Sequence, residues 1–356
     1  MRKWLLHYRG PRLSPLPPPN LRPSHHFFST AKAYLKDSSD PRIRDVGRRI
    51  HDDYATIREN YGMIESSARL QKEVGTFTDT TTATPKYPIV LAHGLLGFSE
   101  LRVSALLPPI EYWHGIKQAL TQNNCAVITA SVPPSGSIEE RAAKLAADIV
   151  AQTSRDKHET PTVNIIAHSM GGLDARYMIS RLKPVLQNVR VASLVTIATP
   201  HRGSPFADYL VERGAGPIHL PRLYSIIRRA GLGTSAFGQL TTRYMREEFN
   251  TKVLDDEAVR YFSYGAAIDE PSLLGAFRLP YGVVGRAEGE NDGLVSVESS
   301  RWGVYRGTLM GVSHLDLINW SNRAAWTVRE WMGMKRTFNA VAFYLDVADM
   351  LAKEGL

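Results

Sequence analysis

From residue 88 onward, short apolar, β-branched runs alternate with longer helical patterns. The runs read "PIVLAHG", "AVITASV", "TVNIIAHS", "ASLVTIATP" and "VRYFSYGAA". Between them lie "EYWHGIKQAL", "SIEERAAKLAADIVAQ" and "GLDARYMISRL", which carry helical spacing. A strand apolar on both sides must be covered on both sides, so the alternation predicts a mostly parallel sheet with helices on both faces. In such α/β sheets the functional groups lie at the carboxyl ends of the strands, and every chemical motif found below falls at one.

The segments before residue 88 have a different texture. Residues 1–36 hold seven basic residues (Arg2, Lys3, Arg9, Arg12, Arg22, Lys32, Lys36), no acidic one, and a "PLPPP" run. The whole chain carries a net charge of +8, and the remainder has 36 basic against 35 acidic residues. The basicity therefore belongs to the N-terminal segment, which argues against a nucleic-acid-binding face on the folded part. "WLL" is too short for a secretory core, so residues 1–40 are expected to be an organelle presequence, which points to a mitochondrial location. Residues 41–75 have a helical look and lead through a Thr-rich linker, giving a helical N-terminal extension over 41–85 and a main α/β domain over 86–356. Cys125, the single cysteine, excludes an intrachain disulfide and reads as a small core residue.

The stretch "NIIAHSMGG" drives a buried strand into Ser169 and continues as a helix. That is the strand–turn–helix context of a nucleophile elbow, in which the flanking residues must be small because the serine backbone is strained. Ala167 and Gly171 meet the requirement; the competing reading of Ser169 is a helix N-cap. An acyl-transfer serine needs donors for a developing oxyanion. Gly94 in "LAHGLLGF" lets the Leu95 N–H turn toward the site, and the Met170 N–H follows the nucleophile directly. His93, just before that glycine, reads as a structural imidazole bonding the loop.

In the chain order Ser, acid, His, the base is expected late. His314, in the loop "GVSHLDLINW", is the candidate; His168 and His201 are its rivals. The acid expected to orient it is Asp292 in "GENDGLVSVESS", after a strand-like "YGVVG" segment. Asp292 also reads as a plain Asn-Asp-Gly turn, and Asp269 is an alternative acid.

"YPIVLAHGLLGF", "EYWHGIKQAL", "VNIIAHSMGGLDARY", "TIATPHRGSPFADYL", "NDGLVS" and "SHLDLINW" together resemble the blocks of the bacterial true lipases of the Pseudomonas and Burkholderia type. They stand in that family's order across about residues 86–330. Within that group the resemblance extends to the fungal mitochondrial triacylglycerol lipases. It implies an α/β-hydrolase fold with nucleophile Ser169, acid Asp292, base His314 and oxyanion donors Leu95 and Met170. Two positions depart from the bacterial pattern. Glu298 stands where a disulfide cysteine is expected. Of the structural calcium ligands, Asp316 matches one, while Trp320 replaces a side-chain amide. No cofactor is expected, and calcium is doubtful.

The insertion at about residues 211–250 contains "LPRLYSIIRRAGLG", which places Leu220, Leu223, Tyr224 and Ile227 at i, i+3, i+4 and i+7. Arg222, Arg228 and Arg229 fall opposite, as in an amphipathic lid that opens at a lipid surface. A cap helix packed permanently on the core is the alternative. The expected activity is hydrolysis of acylglycerol esters at a lipid–water interface, with peripheral membrane contact. A phospholipase or acyltransferase using the same residues is the alternative enzyme, and a lipid-binding protein without turnover the alternative from another class.

Overall fold

The computed structural model describes residues 49–50, 84–95, 100–101, 110–113, 115–153, 160–186, 189–212, 234–268, 277–319 and 338–356. The expected presequence, the Thr-rich linker up to residue 83, the amphipathic pattern at 220–227, Asp269 and Trp320 lie outside them.

The nine described strands are β1 (Arg49–Ile50), β2 (Ile89–Ala92), β3 (Glu100–Leu101), β4 (Ile110–Glu111), β5 (Val127–Thr129), β6 (Thr162–His168), β7 (Arg190–Ile197), β8 (Arg260–Ala267) and β9 (Val304–Met310). Seven of them form one sheet in the order β1-β9-β8-β7-β6-β2-β5, with every pair parallel. β3 and β4 form a small antiparallel pair beside it. The expected fold class is what the chain adopts.

Period-two alternation explains why these strands are apolar throughout. Ile89 and Leu91 of β2 join the layer containing Ile116 and Leu120 of α1 (Ile116–Gln122) and Phe343 and Leu351 of α8 (Ala340–Lys353). Val90 and Ala92 point the other way, into the layer built by Leu145 and Ile149 of α2 (Ile138–Thr153) and Met178 of α3 (Gly171–Arg181). Each such side chain, taken fully out of water, contributes about 1.5–3 kcal/mol before entropic costs. Cys125 is a buried member of the first layer, as expected.

α2 begins with a reciprocal cap. The Glu140 N–H donates to Ser137 Oγ at 3.2 Å, and the Ser137 N–H donates to Glu140 Oε2 at 3.0 Å, satisfying two otherwise orphaned donors. The remaining helices used below are α4 (Pro205–Glu212), α5 (Thr234–Gln239), α6 (Arg278–Glu288) and α7 (Val297–Ser300). Among the described residues no helix is long and apolar enough to cross a membrane.

Three expectations on secondary structure need correction. "YGVVG" is not a strand but the middle of α6, where Val283, Val284 and Ala287 are buried on one side. A run of four or five apolar residues has no period that separates strand from buried helix, and β-branched valines tipped the reading the wrong way. "EYWHGIKQAL" is helical only from Ile116, because Gly115 enters the helix at φ 75° and Ile110–Glu111 pair with β3. Within 41–75, Arg49 and Ile50 are described as a strand beside Thr308 and Leu309 of β9, not as helix.

Candidate active site

β6 ends at His168, and the next residue turns the chain back into α3. Ser169 sits there at φ 56°, a left-handed conformation that is uncommon for any residue but glycine and asparagine. Three contacts hold it in place. The Ser169 N–H donates to the Ile197 carbonyl at 3.0 Å. The Ser169 carbonyl accepts from Thr199 Oγ1 at 2.8 Å and from the Gly172 N–H at 3.1 Å. The small flanking residues are a steric necessity. A Cβ on Gly171 would stand 2.6 Å from the Ala92 carbonyl oxygen, and one on Gly172 would stand 2.2 Å from Thr199 Oγ1. The N-cap reading of Ser169 gives way to the elbow: its hydroxyl points to another part of the chain.

Its neighbour there is His314, on the turn after β9. Ser169 Oγ lies 2.9 Å from His314 Nε2, and His314 Nδ1 lies 2.6 Å from Asp292 Oδ2. His314 is also fixed through its backbone, its N–H donating to the Asp292 carbonyl at 3.0 Å. Asp292 is fully buried. Its Oδ1 accepts the N–H groups of Leu294 and Val295 at 3.0 and 2.8 Å. The turn and the contact with His314 are therefore compatible. The tight Asn-Asp-Gly turn, with Gly293 at φ 103°, uses one carboxylate oxygen and leaves the other for the histidine.

The oxyanion candidates Leu95 and Met170 are the chain neighbours of Gly94 and Ser169, which the fold brings into contact. Gly94 packs so closely on the elbow that a Cβ there would stand 2.7 Å from Ser169 Cβ, which brings Leu95 beside the nucleophile. The Leu95 side chain packs on the cluster that contains Met170 and Leu173. The peptide between Gly94 and Leu95 is oriented by His93, whose Nδ1 bonds the Gly94 carbonyl at 3.1 Å. His93 Nε2 accepts the Val132 N–H at 3.2 Å. Burial lowers the His93 pKa to about 4, so the ring is neutral and serves as the structural imidazole anticipated for it.

The rival histidines have other roles. His168 is buried behind the serine, its Nδ1 bonded to the Tyr112 hydroxyl at 2.7 Å. Burial, reinforced by nearby His314, holds its imidazole well below the usual range. It stays uncharged 4.6 Å from the His314 ring, so it does not oppose the arrival of a proton on His314. His201 is fully buried, bonded to Thr196 Oγ1 at 3.0 Å and stacked on Trp302.

Asp316 opens a short 3-10 turn, and its Oδ2 accepts from Ser313 N–H at 3.0 Å and Ser313 Oγ at 2.6 Å. The carboxylate is thus engaged in closing the turn that carries His314. No group of three or more His, Cys, Asp or Glu placed to hold a metal occurs among the described residues.

Sequence reasoning missed a buried brace beneath the site. Arg141, fully buried on α2, bonds Asp174 through Nε at 2.9 Å and the His93 carbonyl through Nη2 at 2.8 Å. It ties α2, the start of α3 and the oxyanion loop into one unit. The signal was present: Arg141 occupies the stripe of Ile138, Ala142, Leu145, Ala146 and Ile149, a buried position for a charged residue. The described part of the insertion, 234–250, is also fastened down. Gln239 accepts the Ile138 N–H at 2.7 Å, and Met245 and Phe249 pack with Met170 and Leu173.

The comparisons with known proteins agree with this architecture. The α/β hydrolase fold model matches residues 87–280. The chain is 37% identical to triacylglycerol lipase 2 of Saccharomyces cerevisiae over 316 residues, covering 76% of this chain and 93% of that one. It is 32% identical to a triacylglycerol lipase of Vibrio cholerae, covering 66% and 80% of the two chains. Among solved structures, Staphylococcus hyicus lipase superposes with a TM-score of 0.56 at 18% identity, over 78% of this chain and 98% of that one. The chain belongs to the α/β-hydrolase fold family, and the resemblance read from its motifs is borne out.

Proposed function

We propose that this protein is a triacylglycerol lipase, a serine carboxylic ester hydrolase acting on acylglycerols at a lipid surface. The observation that carries the reading is the continuous chain from Ser169 Oγ through His314 to buried Asp292. His314 Nε2 takes the serine proton as Oγ attacks the ester carbonyl, while Asp292 holds the Nδ1–H and stabilises the imidazolium. The Leu95 and Met170 N–H groups receive the negative charge on the former carbonyl oxygen. His314 then gives its proton to the departing glyceride oxygen, leaving an acyl group on Ser169. Water, activated by the same histidine, releases the fatty acid. The names of the yeast and Vibrio relatives support the triacylglycerol substrate class.

Two further readings rest on sequence. The amphipathic pattern at 220–229 makes a lid over the acyl site. The basic N-terminal segment makes a mitochondrial presequence, since each positive charge gains about 2 kcal/mol per 100 mV on entering a negative compartment.

The deciding experiment assays protein lacking its first 40 or so residues on a soluble short-chain ester, a triacylglycerol emulsion and phospholipid vesicles, each with and without an acceptor alcohol. Turnover highest on the emulsion is expected. Preference for phospholipid, or transfer to the alcohol in place of hydrolysis, would replace this reading with a phospholipase or an acyltransferase. For location, residues 1–45 fused to a fluorescent reporter are expected to carry it into mitochondria; a diffuse cytosolic signal overturns that part.

A further inference from the structure

We propose that Tyr112 is a positioning residue of the ester-cleaving site, its hydroxyl locking the oxyanion loop to the nucleophile elbow. The proposal rests on the acyl-transfer reading above. The hydroxyl makes two bonds. It accepts the Gly94 N–H at 3.0 Å and meets His168 Nδ1 at 2.7 Å. One lone pair of the phenol oxygen takes the Gly94 proton, and the same hydroxyl shares its second hydrogen bond with the uncharged His168 imidazole. Each partner is one residue from the chemistry: Gly94 precedes the Leu95 donor, and His168 precedes Ser169. One oxygen therefore sets the spacing between a donor of the oxyanion site and the atom that attacks.

The geometry leaves little slack. A Cβ built on Gly94 would stand 3.1 Å from the Tyr112 hydroxyl and 2.7 Å from Ser169 Cβ. The three residues meet at contact distance around a position that only glycine fits. The phenol ring is held from behind by Trp113 at 5.1 Å, itself set edge-on to Tyr344 of α8 at 5.5 Å. Burial pushes the phenol pKa upward, so Tyr112 stays protonated and keeps both bonds across the working pH range. His93 and Tyr112 divide the work on the loop. His93 bonds the Gly94 carbonyl and Tyr112 the Gly94 N–H, so the residue before the donor is held at both ends.

The consequence concerns the transition state. A hydrogen-bond donor to a developing oxyanion acts on charge that the bound ester lacks, so displacing it lowers kcat more than it raises KM. Tyr112→Phe removes only the hydroxyl oxygen and leaves the ring packing. It strands the buried Gly94 N–H and releases the loop. We expect kcat to fall by about tenfold to a hundredfold, the range that misplacement by an ångström or less produces. KM on a soluble ester should change little. Affinity for an alkylboronic acid, whose tetrahedral adduct on serine puts an oxygen in the same site, should fall in step with kcat.

The wild type is first labelled with a fluorophosphonate probe. Absence of label on Ser169 sinks the acyl-transfer reading itself. Label on the wild type, with kcat and boronate affinity in Tyr112→Phe equal to wild type, overturns the proposal alone, as does a loss confined to KM or to melting temperature. If Tyr112→Phe does not fold, His168→Leu, which removes the phenol's imidazole partner, carries the same test with the same expected split.

Discussion

Ser169 Oγ and His314 Nε2 stand 2.9 Å apart across 145 residues of sequence. Neither is placed by the other. Ser169 is set by the strained turn between β6 and α3, and His314 by the turn after β9 and its double hold on Asp292. Removing either partner should therefore disable the chemistry without unfolding the chain. Ser169→Ala and His314→Ala are each expected to lower ester turnover by on the order of 10⁴-fold or more, with the double variant hardly worse. Asp292→Asn should fall on a similar scale, because the amide favours the wrong imidazole tautomer. Initial rates on a soluble ester, beside circular dichroism, test this. A folded Ser169→Ala keeping a few per cent of wild-type turnover would remove the serine from the mechanism.

The glycines make a second, steric prediction. Gly171→Ala drives a methyl group to 2.6 Å from the Ala92 carbonyl and 2.7 Å from the His93 carbonyl, both backbone atoms. Overpacking of this kind costs about 1–3 kcal/mol, and here it also pushes the elbow away from the oxyanion loop. Urea unfolding should show the loss of stability, and turnover should drop with it. Gly238→Ala is the control: nothing lies within 4 Å of its added methyl, and both measurements should stay near wild type.

The elements that were legible in sequence are those with a local code. The Ser169 elbow needs small residues at fixed offsets, and the sheet needs apolar runs at a regular spacing, so both could be read directly. Asp292 and His314 were legible because chain order and turn chemistry narrow the choice to a few residues. What escaped notice depends on partners far along the chain. Arg141 stands on the apolar stripe of α2, which marks it as buried, but its partners Asp174 and the His93 carbonyl come from elsewhere in the chain and only the fold shows them. Tyr112 is an aromatic in an apolar stretch, and only the fold brings Gly94 and His168 to its hydroxyl. "YGVVG" failed for a different reason: too short to show a period, it was assigned by valine preference, and tertiary packing on Phe206 of α4 decided for helix.

The insertion supplies a third prediction. Its described end is bonded to α2 through Gln239 and to α4 through Thr242 and Asp208, and the apolar pattern to be tested lies outside the described residues. Replacing Leu223 and Ile227 together with Ser should reduce hydrolysis of an emulsified long-chain substrate by several-fold or more, since an interfacial helix binds through its buried apolar area. Soluble short-chain ester turnover should be affected far less. Equal losses on the two substrates would make the segment a fixed cap.

The last prediction concerns Glu288, at the end of α6. Its carboxyl is buried and bonded to Ser296 Oγ. Burial is the main cause of a pKa raised from 4.5 to about 8, with the neighbouring Asp208 and Glu298 adding to it while Ser296 and Arg202 oppose it. A carboxyl with a raised folded-state pKa keeps its proton in the native state while the unfolded chain has released it. Between pH 4.5 and about 8 the native state therefore binds more protons, and stability falls as pH rises. Asp208, raised to about 6 by burial, steepens the lower half of that window. Each pKa unit corresponds to about 1.4 kcal/mol, enough to move an unfolding midpoint measurably. Glu288→Gln keeps an acceptor for Ser296 and has no proton to lose. Its urea midpoint should be less sensitive to pH between 6 and 8 than that of the wild type, and at pH 8.5 it should be the more stable of the two. Parallel pH profiles for the two proteins would mean that the carboxyl ionises freely, and that the Ser296 bond and Arg202 stabilise its charge fully.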